Sequence, residues 1–561
     1  MIGFRSLLEF TFIGNLRARK KAMSAKSVLK DVDFQPIESY WASASESRNS
    51  DTKPSVLVDS LIFHPSYNEK NFLTAKLIQH VIGGELIALV QHSFSKSVIE
   101  FSRKFGINSH VPIYKFLSTL DLLRSIFLFV RSKGISTFSS TEGFRFVLHG
   151  IDVGGLIYDE YLRRNNLHTY RKRSLDFILF TIRSTYLYCR YSRILSKAGV
   201  TDIVIGHNVY AFWGLLIVAA SRQKRNITIW NWSNYGENHM SIIRFKACYP
   251  ILKPNYLEEN VFKKVVGYFE NEGLKIEMVF NSVVRRKYQG FYQDRDSSNV
   301  YDDIVVKSVS DFRNLNHVDE NKYNVVIFAH SFVDAVKYAR WSVFADYYTW
   351  LEETLRYLIL NRSDCNLYVK IHPSEESYPC KMKAKELVKV LNLQLGANIV
   401  LLDHTYDNLV LFEVADVVVT SNGSVSVEAP AFGTKVIAAG ECFTEVCGGI
   451  IQSRNIKDYY RNLSSFHVHE LDLDTIRRSQ YGFIWFFLMT RVSVPLTVAA
   501  IDKELQERQE LTIALKKIVN QYEISNQFSI DTLEVIKQLK KSIESSDVNM
   551  FNPKELDEVF N

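Results

Sequence analysis

The chain has 561 residues, of which 47% are hydrophobic and 23% charged, and its net charge is +7. That length exceeds one ordinary core and the composition is globular, which excludes a disordered or fibrous chain and predicts two domains with additions. So mild a charge on so long a chain gives no reason to expect nucleic acid as a partner, and it suits an anionic ligand or an anionic membrane surface.

Residues 1–51 read as a basic leader and linker. Residues 1–13 are mostly apolar, but the basic cluster Arg17, Arg19, Lys20 and Lys21 follows them, the reverse of a secretory signal. The leader could be an amphipathic helix lying on a membrane or a loosely docked terminal helix. From 52 to 300 strand-like and helix-like stretches alternate, as in a Rossmann-like domain. Strands are expected at 55–58 and 85–90, and helices at 70–82 and 116–132. The glycine-rich loop 150–155 lacks the G-x-G-x-x-G spacing and is not a dinucleotide fingerprint. A long helix at 176–198 carries many Tyr and Arg residues, expected to be a packing face with snorkelling arginines. A strand at 202–207, a helix at 208–221 and a strand at 227–230 follow, then a polar loop at 231–239. Helices are expected at 261–272 and 280–294, and the polar run 295–320 marks the domain junction.

The stretch 324–440, within a second domain at 301–470, shows three turns of one alternation. Short apolar runs at 325–328, 367–371 and 417–420 end in Ala329-His330-Ser331, His372-Pro373-Ser374 and Ser421-Asn422-Gly423-Ser424. Such runs are typical of buried parallel strands, and a helix-like segment follows each. The fold class is therefore α/β with two doubly wound sheets, whose ligands bind beyond the carboxyl ends of the strands. Residues 471–561 are helical. The apolar stretch 483–489 is closed by Arg491, and no run reaches the ~20 residues of a membrane span. The six cysteines form no C-x-x-C pair and no zinc-spaced cluster, so no metal site is expected. They read as free thiols in a reducing cytoplasm.

Lys370 and His372 bring a cation and an imidazole to a strand end, which suits a phosphate. Ser421, Asn422 and Ser424 surround a glycine at a helix start, an anion cradle or simply an N-cap, with Glu428 in the first turns able to accept from ribose hydroxyls. His330 and Ser331 could reach a donor phosphate, while Asp334 reads as a first-turn dipole partner or as part of the site. On the N-terminal side His207, Glu237 and Asp152 sit on loops and are the candidate catalytic groups, His207 and Glu237 foremost as the general base for an acceptor hydroxyl. Each could equally be an ordinary polar loop residue.

On these motifs the chain resembles the bacterial capsule and surface polysaccharide glycosyltransferases of GT-B type. The resemblance rests on Lys370-Ile371-His372-Pro373, on Ser421 to Ser424 through Glu428, Gly433 and Val436, on Gly440 to Phe443 and on Cys447-Gly448-Gly449. Upstream, 154–163 and Asp202, His207, Tyr210, Trp213 and Gly214 belong to it too. It implies two Rossmann-like domains facing a cleft, plus C-terminal helices. In the Kdo- and sialic-acid-transferring members the His-Pro pair and the serine-rich turn contact the phosphate and ribose of a CMP-linked donor. The likeness puts His372 and Pro373 on the phosphate side, Ser421, Asn422 and Ser424 along the same site, and Glu428 facing the nucleotide. This chain has Ser-Asn-Gly-Ser where those members usually have a Ser-Ser or Ser-Thr pair.

The expected protein is a cytoplasmic enzyme, peripheral on the inner membrane face. It would use a nucleotide-sugar, CMP-sugar favoured, as co-substrate with no tightly bound cofactor, and a glycan or lipid-linked acceptor. Two alternatives stand beside it. One is transfer of glycerol or ribitol phosphate from a CDP-alditol. The other is a non-catalytic GT-B-like scaffold, separable by whether His372 and Glu428 converge on one cleft.

Overall fold

Short β-branched runs form parallel strands where helices cover both faces of the sheet, and this chain does so twice. The computed structural model describes residues 28–43, 54–92, 95–114, 119–132, 138–139, 143–171, 174–234, 239–248, 256–288, 304–336, 342–494, 496, 508–525 and 529–545. The strands are β1 (Ser55–Ser60), β2 (Glu85–His92), β3 (Ser109–Tyr114), two small hairpins β4 (Phe138–Ser139) with β5 (Gly143–Phe144) and β6 (Val147–Leu148) with β7 (Ile151–Asp152), then β8 (Asp202–Ile205), β9 (Thr228–Asn234) and β10 (His239–Lys246). A second series follows: β11 (Tyr323–Phe328), β12 (Cys365–Lys370), β13 (Ile399–Leu402), β14 (Val417–Thr420), β15 (Val436–Ala438) and β16 (Ile450–Gln452), with β17 (Val492–Ser493) last.

Among the described residues the first sheet has the order β17-β10-β9-β8-β1-β2-β3, parallel from β9 to β3, with β10 antiparallel to both its neighbours. Helix Pro65–Ile82 covers one face, together with Arg508–Ser525 and Glu534–Ser545 from the far end of the chain. Helices Gly154–Asn165, Leu175–Lys197 and Tyr210–Ser221 cover the other. The second sheet is parallel throughout, in the order β13-β12-β11-β14-β15-β16. Helices Tyr347–Asn361, Ala384–Leu395 and Ile456–Ser465 pack on one side, and Val309–Asn316, Asn408–Val414 and Val425–Ala431 on the other.

The C-terminal segment crosses between the two layers. Helix Leu473–Ile484 and the π-helical turn Trp485–Met489 pack against Glu259–Asn271 and Ile276–Tyr288, so the apolar stretch 483–489 is interior. β17 then adds to the first sheet. Of the leader, the described part includes helix Gln35–Ser43, whose Tyr40 and Trp41 pack edge-on against Tyr522 at 5.6 and 6.3 Å. Among the described residues no helix is long and apolar enough to cross a membrane.

Two local expectations are corrected, and one strand is added. Helix Pro65–Ile82 begins at Pro65, not at residue 70, because His64 caps it in extended geometry and Pro65 occupies the first turn. The run 231–239 is not all loop, since β9 continues to Asn234 and β10 starts at His239. Asn231 can sit in that strand because its side-chain amide donates to the carbonyls of Ile205 (2.8 Å) and Gly206 (3.2 Å), so its polarity is satisfied inside. β3, which the sequence pattern conceals, carries Pro112 and is accordingly an edge strand.

The arginines of helix Leu175–Lys197 do not snorkel. Arg183 is buried against Glu160 at 3.2 Å, and Arg190 against Asp121 at 3.0 Å, with Arg193 on the other oxygen of Asp121 at 2.8 Å. Burial pushes the Glu160 carboxyl up, but Arg164 and Arg183 more than offset this and hold it below its ordinary value. Its second oxygen accepts from the Phe212 amide at 2.6 Å, fixing the start of helix Tyr210–Ser221. Removing one partner of such a pair strands a buried charge. Glu160→Ala is therefore expected to destabilise the fold by about 3–5 kcal/mol, measured by urea unfolding. A cost under about 1 kcal/mol, the range of an exposed pair, would contradict the buried pairing.

Candidate functional site

A doubly wound sheet opens a crevice where the chain reverses its direction of strand addition. In the second sheet the chain runs β11, β12, β13 outward and then returns to place β14 on the other side of β11. The switch point is thus between β11 and β14. His330 follows β11, and the turn 420–424 follows β14. His330 Nε2 lies 3.1 Å from Thr420 Oγ1, and that hydroxyl accepts from the Gly423 amide at 3.2 Å. A Cβ on Gly423 would stand 3.1 Å from the His330 ring, so glycine lets the turn approach the imidazole.

The His330 ring stacks on Tyr347, with centroids 4.2 Å apart and planes at 10°. Tyr347 in turn donates to Asn422 Oδ1 at 2.9 Å. His372, after the neighbouring β12, presents its ring 6.5 Å from that of His330 at an angle of 20°. Its Nδ1 accepts from the Ser374 amide at 3.2 Å, because Pro373 starts a short 3-10 turn there. An imidazole whose Nδ1 accepts carries its proton on Nε2, so His372 offers a donor away from the turn. The expected site residues His330, His372, Ser421, Asn422 and Ser424 are thus brought onto three adjacent strand ends. Ser331 is buried beside them, and Pro373 is exposed. The Ser421 hydroxyl is buried, with no hydrogen-bond partner among the described residues.

Lys370 is not at this site. Side chains alternate along a strand, and Lys370 shares the face of Tyr368. Its buried amine donates to the carbonyls of Asp403 and Tyr406, the latter at 2.6 Å, and burial lowers it to about 8. The cation beside the turn is Lys287, from the end of helix Ile276–Tyr288. Its amine is 3.1 Å from Glu428 Oε1, which also receives the Ser424 hydroxyl at 3.3 Å. Tyr288 donates to Glu428 Oε2. Glu428 is thus buried and held by three donors in this structure. No local signal marks Lys287, since it reaches the turn from 141 residues upstream of Glu428 (428 − 287). Asp334 does not open a helix. It is exposed, with Oδ1 accepting from the Ala335 amide at 2.9 Å, and the next described helix starts at Tyr347.

The first sheet has its own switch point, between β1 and β8. Asp59 lies at the end of β1 and is fully buried. It accepts from the Tyr67 hydroxyl, from Trp213 Nε1 at 3.0 Å and from the Leu61 amide at 3.1 Å. Burial raises its carboxyl to about 6, despite those hydrogen bonds. His207, after β8, is half-buried and stacked on Tyr67 at 5.1 Å and 15°, with Trp213 edge-on at 5.1 Å. Asp59 and Tyr67 were missed by sequence reasoning because a strand aspartate and a helix tyrosine carry no motif. Asp152 is engaged locally, with Oδ1 accepting from the Phe146 (3.1 Å) and Gly154 (2.9 Å) amides, which anchors the start of helix Gly154–Asn165. Glu237 lies outside the described residues.

The two switch points are held face to face. Asp346 is buried and caps helix Tyr347–Asn361 through the Thr349 amide at 2.6 Å, while its other oxygen accepts from Tyr158 and Thr169 of the first domain, both at 2.7 Å. Tyr210 adopts φ 59, the left-handed region that a bulky residue rarely enters, and its hydroxyl meets Asp334 Oδ1 at 3.4 Å. The Lys381 amide donates to the Asn166 carbonyl at 2.9 Å, and Arg163 lies over the Tyr378 ring at 4.0 Å. Among the described residues no group of three or more His, Cys, Asp or Glu is placed to hold a metal ion.

No protein-family model matches the chain, and no curated protein does. Solved structures match over much of its length. The Thermosulfurimonas dismutans KpsC beta Kdo 2,4 transferase shares 9% identity over 56% of this chain and 88% of that one, with a TM-score of 0.30. WaaG, a glycosyltransferase involved in lipopolysaccharide biosynthesis, shares 10% over 83% and 99%, with a TM-score of 0.28. The UDP-GlcNAc 2-epimerase from Neisseria meningitidis bound to UDP-GlcNAc shares 10% over 78% and 97%, with a TM-score of 0.24. Superpositions this loose carry no weight for the activity of this chain.

The burial of Asp59 sets a pH dependence. A carboxyl raised in the folded state costs nothing while protonated in both states, and the cost grows as pH rises from the unfolded value near 4 to the folded value of about 6. Stability should therefore fall across that window by on the order of 1–3 kcal/mol from this group. Asp59→Asn should lack that component, as read from urea midpoints at about pH 4 and about pH 7, which span the two values. Identical pH dependence in the two proteins would show that Asp59 ionises at its ordinary value.

Proposed function

We propose that this chain is a glycosyltransferase that moves a sugar from a nucleotide-activated donor, CMP-sugar by preference, to a surface polysaccharide or lipid-linked glycan. The observation that carries the reading is the opposition of two switch points. His330, His372 and the turn 420–424 stand on one side and His207 with its aromatic wall on the other, linked through Tyr210 and Asp334. The second domain would bind the donor and the first the acceptor.

The donor phosphate would lie against His372 Nε2–H and the Gly423–Ser424 backbone, lined by His330, Ser331, Ser421, Asn422 and Ser424, with Lys287 nearby as the cation. Glu428, buried and held by Lys287, Ser424 and Tyr288, would brace that turn rather than meet the ribose as its place in the sequence suggests. In the reaction an acceptor hydroxyl oxygen bonds to the anomeric carbon as the bond from that carbon to the phosphate oxygen breaks. The phosphate leaves with the electron pair, and donors already aimed at it stabilise its charge. The acceptor proton passes to a general base, for which His207 and Glu237 are the candidates. No tightly bound cofactor would be needed, since the nucleotide-sugar enters as co-substrate. The work would be done in the cytoplasm, at the inner membrane face.

That His372 and Glu428 meet the same turn, through His330 and Ser424 respectively, favours an enzyme over a scaffold with a vestigial cleft. The test is thermal stabilisation by CMP, CDP, UDP, GDP and ADP of the wild type and of His372→Ala. A ligand at about a hundred times its dissociation constant stabilises by about 2.7 kcal/mol. A CMP shift that His372→Ala loses is the expected result. A shift with CDP alone would replace sugar transfer by alditol-phosphate transfer. A UDP or GDP shift would overturn the CMP-sugar preference, and no shift with any nucleotide would overturn the transferase.

A further inference from the structure

Helix Thr119–Arg131 is apolar on two sides. Leu128 and Phe129 are buried in the first domain's core, and the acid Asp121 is buried in its pairs with Arg190 and Arg193. On the outer side Leu120 is 71% exposed, Leu123 61%, Ile126 40%, Phe127 61% and Val130 69%. At about 100° per residue these five side chains fall within an arc of about 120°, one continuous stripe rather than scattered positions. Single exposed apolar residues need no explanation, but a contiguous stripe marks an interaction surface.

The charges beside the stripe have one sign. The exposed charged residues of this helix are Arg124 and Arg131, which lie along one edge of the stripe. Both, with Arg222 from the end of helix Tyr210–Ser221, are close enough to His149 to help hold its imidazole below its ordinary value, after burial. An apolar face edged by arginines is complementary to an anionic lipid surface, where the rings and branched chains sink to the acyl boundary and the guanidiniums meet phosphates. The placement has a consequence for the cleft. The helix follows β3, whose terminal carbonyls Pro112 and Ile113 accept from Arg190, so it begins at the same end of the sheet as Asp59 and His207.

We infer that helix Thr119–Arg131 docks the protein on an anionic bilayer, with the acceptor side of the cleft next to the lipid surface. The docking itself does not depend on the activity proposed above. It is separate from the leader, whose residues 1–27 lie outside those described.

The test is co-sedimentation of the full chain with phosphatidylcholine vesicles, with and without phosphatidylglycerol. The expected result is binding that requires the anionic lipid and weakens with salt. It should drop at least about tenfold in Leu123→Ser/Phe127→Ser and in Arg124→Glu/Arg131→Glu. Thermal unfolding and nucleotide-induced shifts should be unchanged in both variants. Should the first pair fail to fold, Leu120→Gln/Val130→Gln removes the ends of the stripe instead. Wild-type protein that stays in solution overturns the inference. So does binding that all variants retain, which would assign the contact to the leader. A wild-type dimer that Leu123→Ser/Phe127→Ser makes monomeric, without vesicle binding, would assign the stripe to a second copy of the chain and also overturns it.

Discussion

Asp346 joins the two halves of the protein and the site in one carboxylate. One oxygen caps the helix that carries Tyr347, and the other binds Tyr158 and Thr169 across the domain boundary. Tyr347 is the surface on which His330 stacks, and its hydroxyl fixes Asn422. The position of the first domain and the orientation of the imidazole are therefore set by the same buried group. Three donors converge on it, which is how a carboxylate is tolerated away from water.

Around that constraint both sheets place their chemistry in the same way. Each reverses strand order once, and at each reversal a histidine stands against a hydroxyl-bearing partner, His330 with Thr420 and His207 with Tyr67. The aromatic rings hold the imidazoles by their faces, which leaves the ring edges to make hydrogen bonds. The buried ion pairs of Glu160 and Asp121 sit behind the first site, and Glu160 anchors the start of the helix that carries Tyr210 and Trp213. The second site has a counterpart in Lys287 and Tyr288, which brace Glu428 from a helix outside the sheet.

The amino-acid sequence by itself determined strands at 55–58, 202–207, 325–328, 367–371 and 417–420, within about two residues of their observed ends, because buried parallel strands are short, β-branched and followed by small polar residues. It determined as well that His330, His372 and the turn 421–424 end such strands, since strand ends in a doubly wound sheet are where ligands meet the chain. Tertiary structure alone decided which of those ends are neighbours, because sheet order depends on long-range pairing that no local pattern records. It decided that Lys370 turns to the loop at 403–406 while Lys287 reaches the site, and that Asp152 braces a turn while Asp59 occupies the switch point. It also decided that one side of helix Thr119–Arg131 is core and the other open surface. Its residues are apolar on both sides, so the periodicity carried no distinction, and only the position of the first sheet tells the two faces apart.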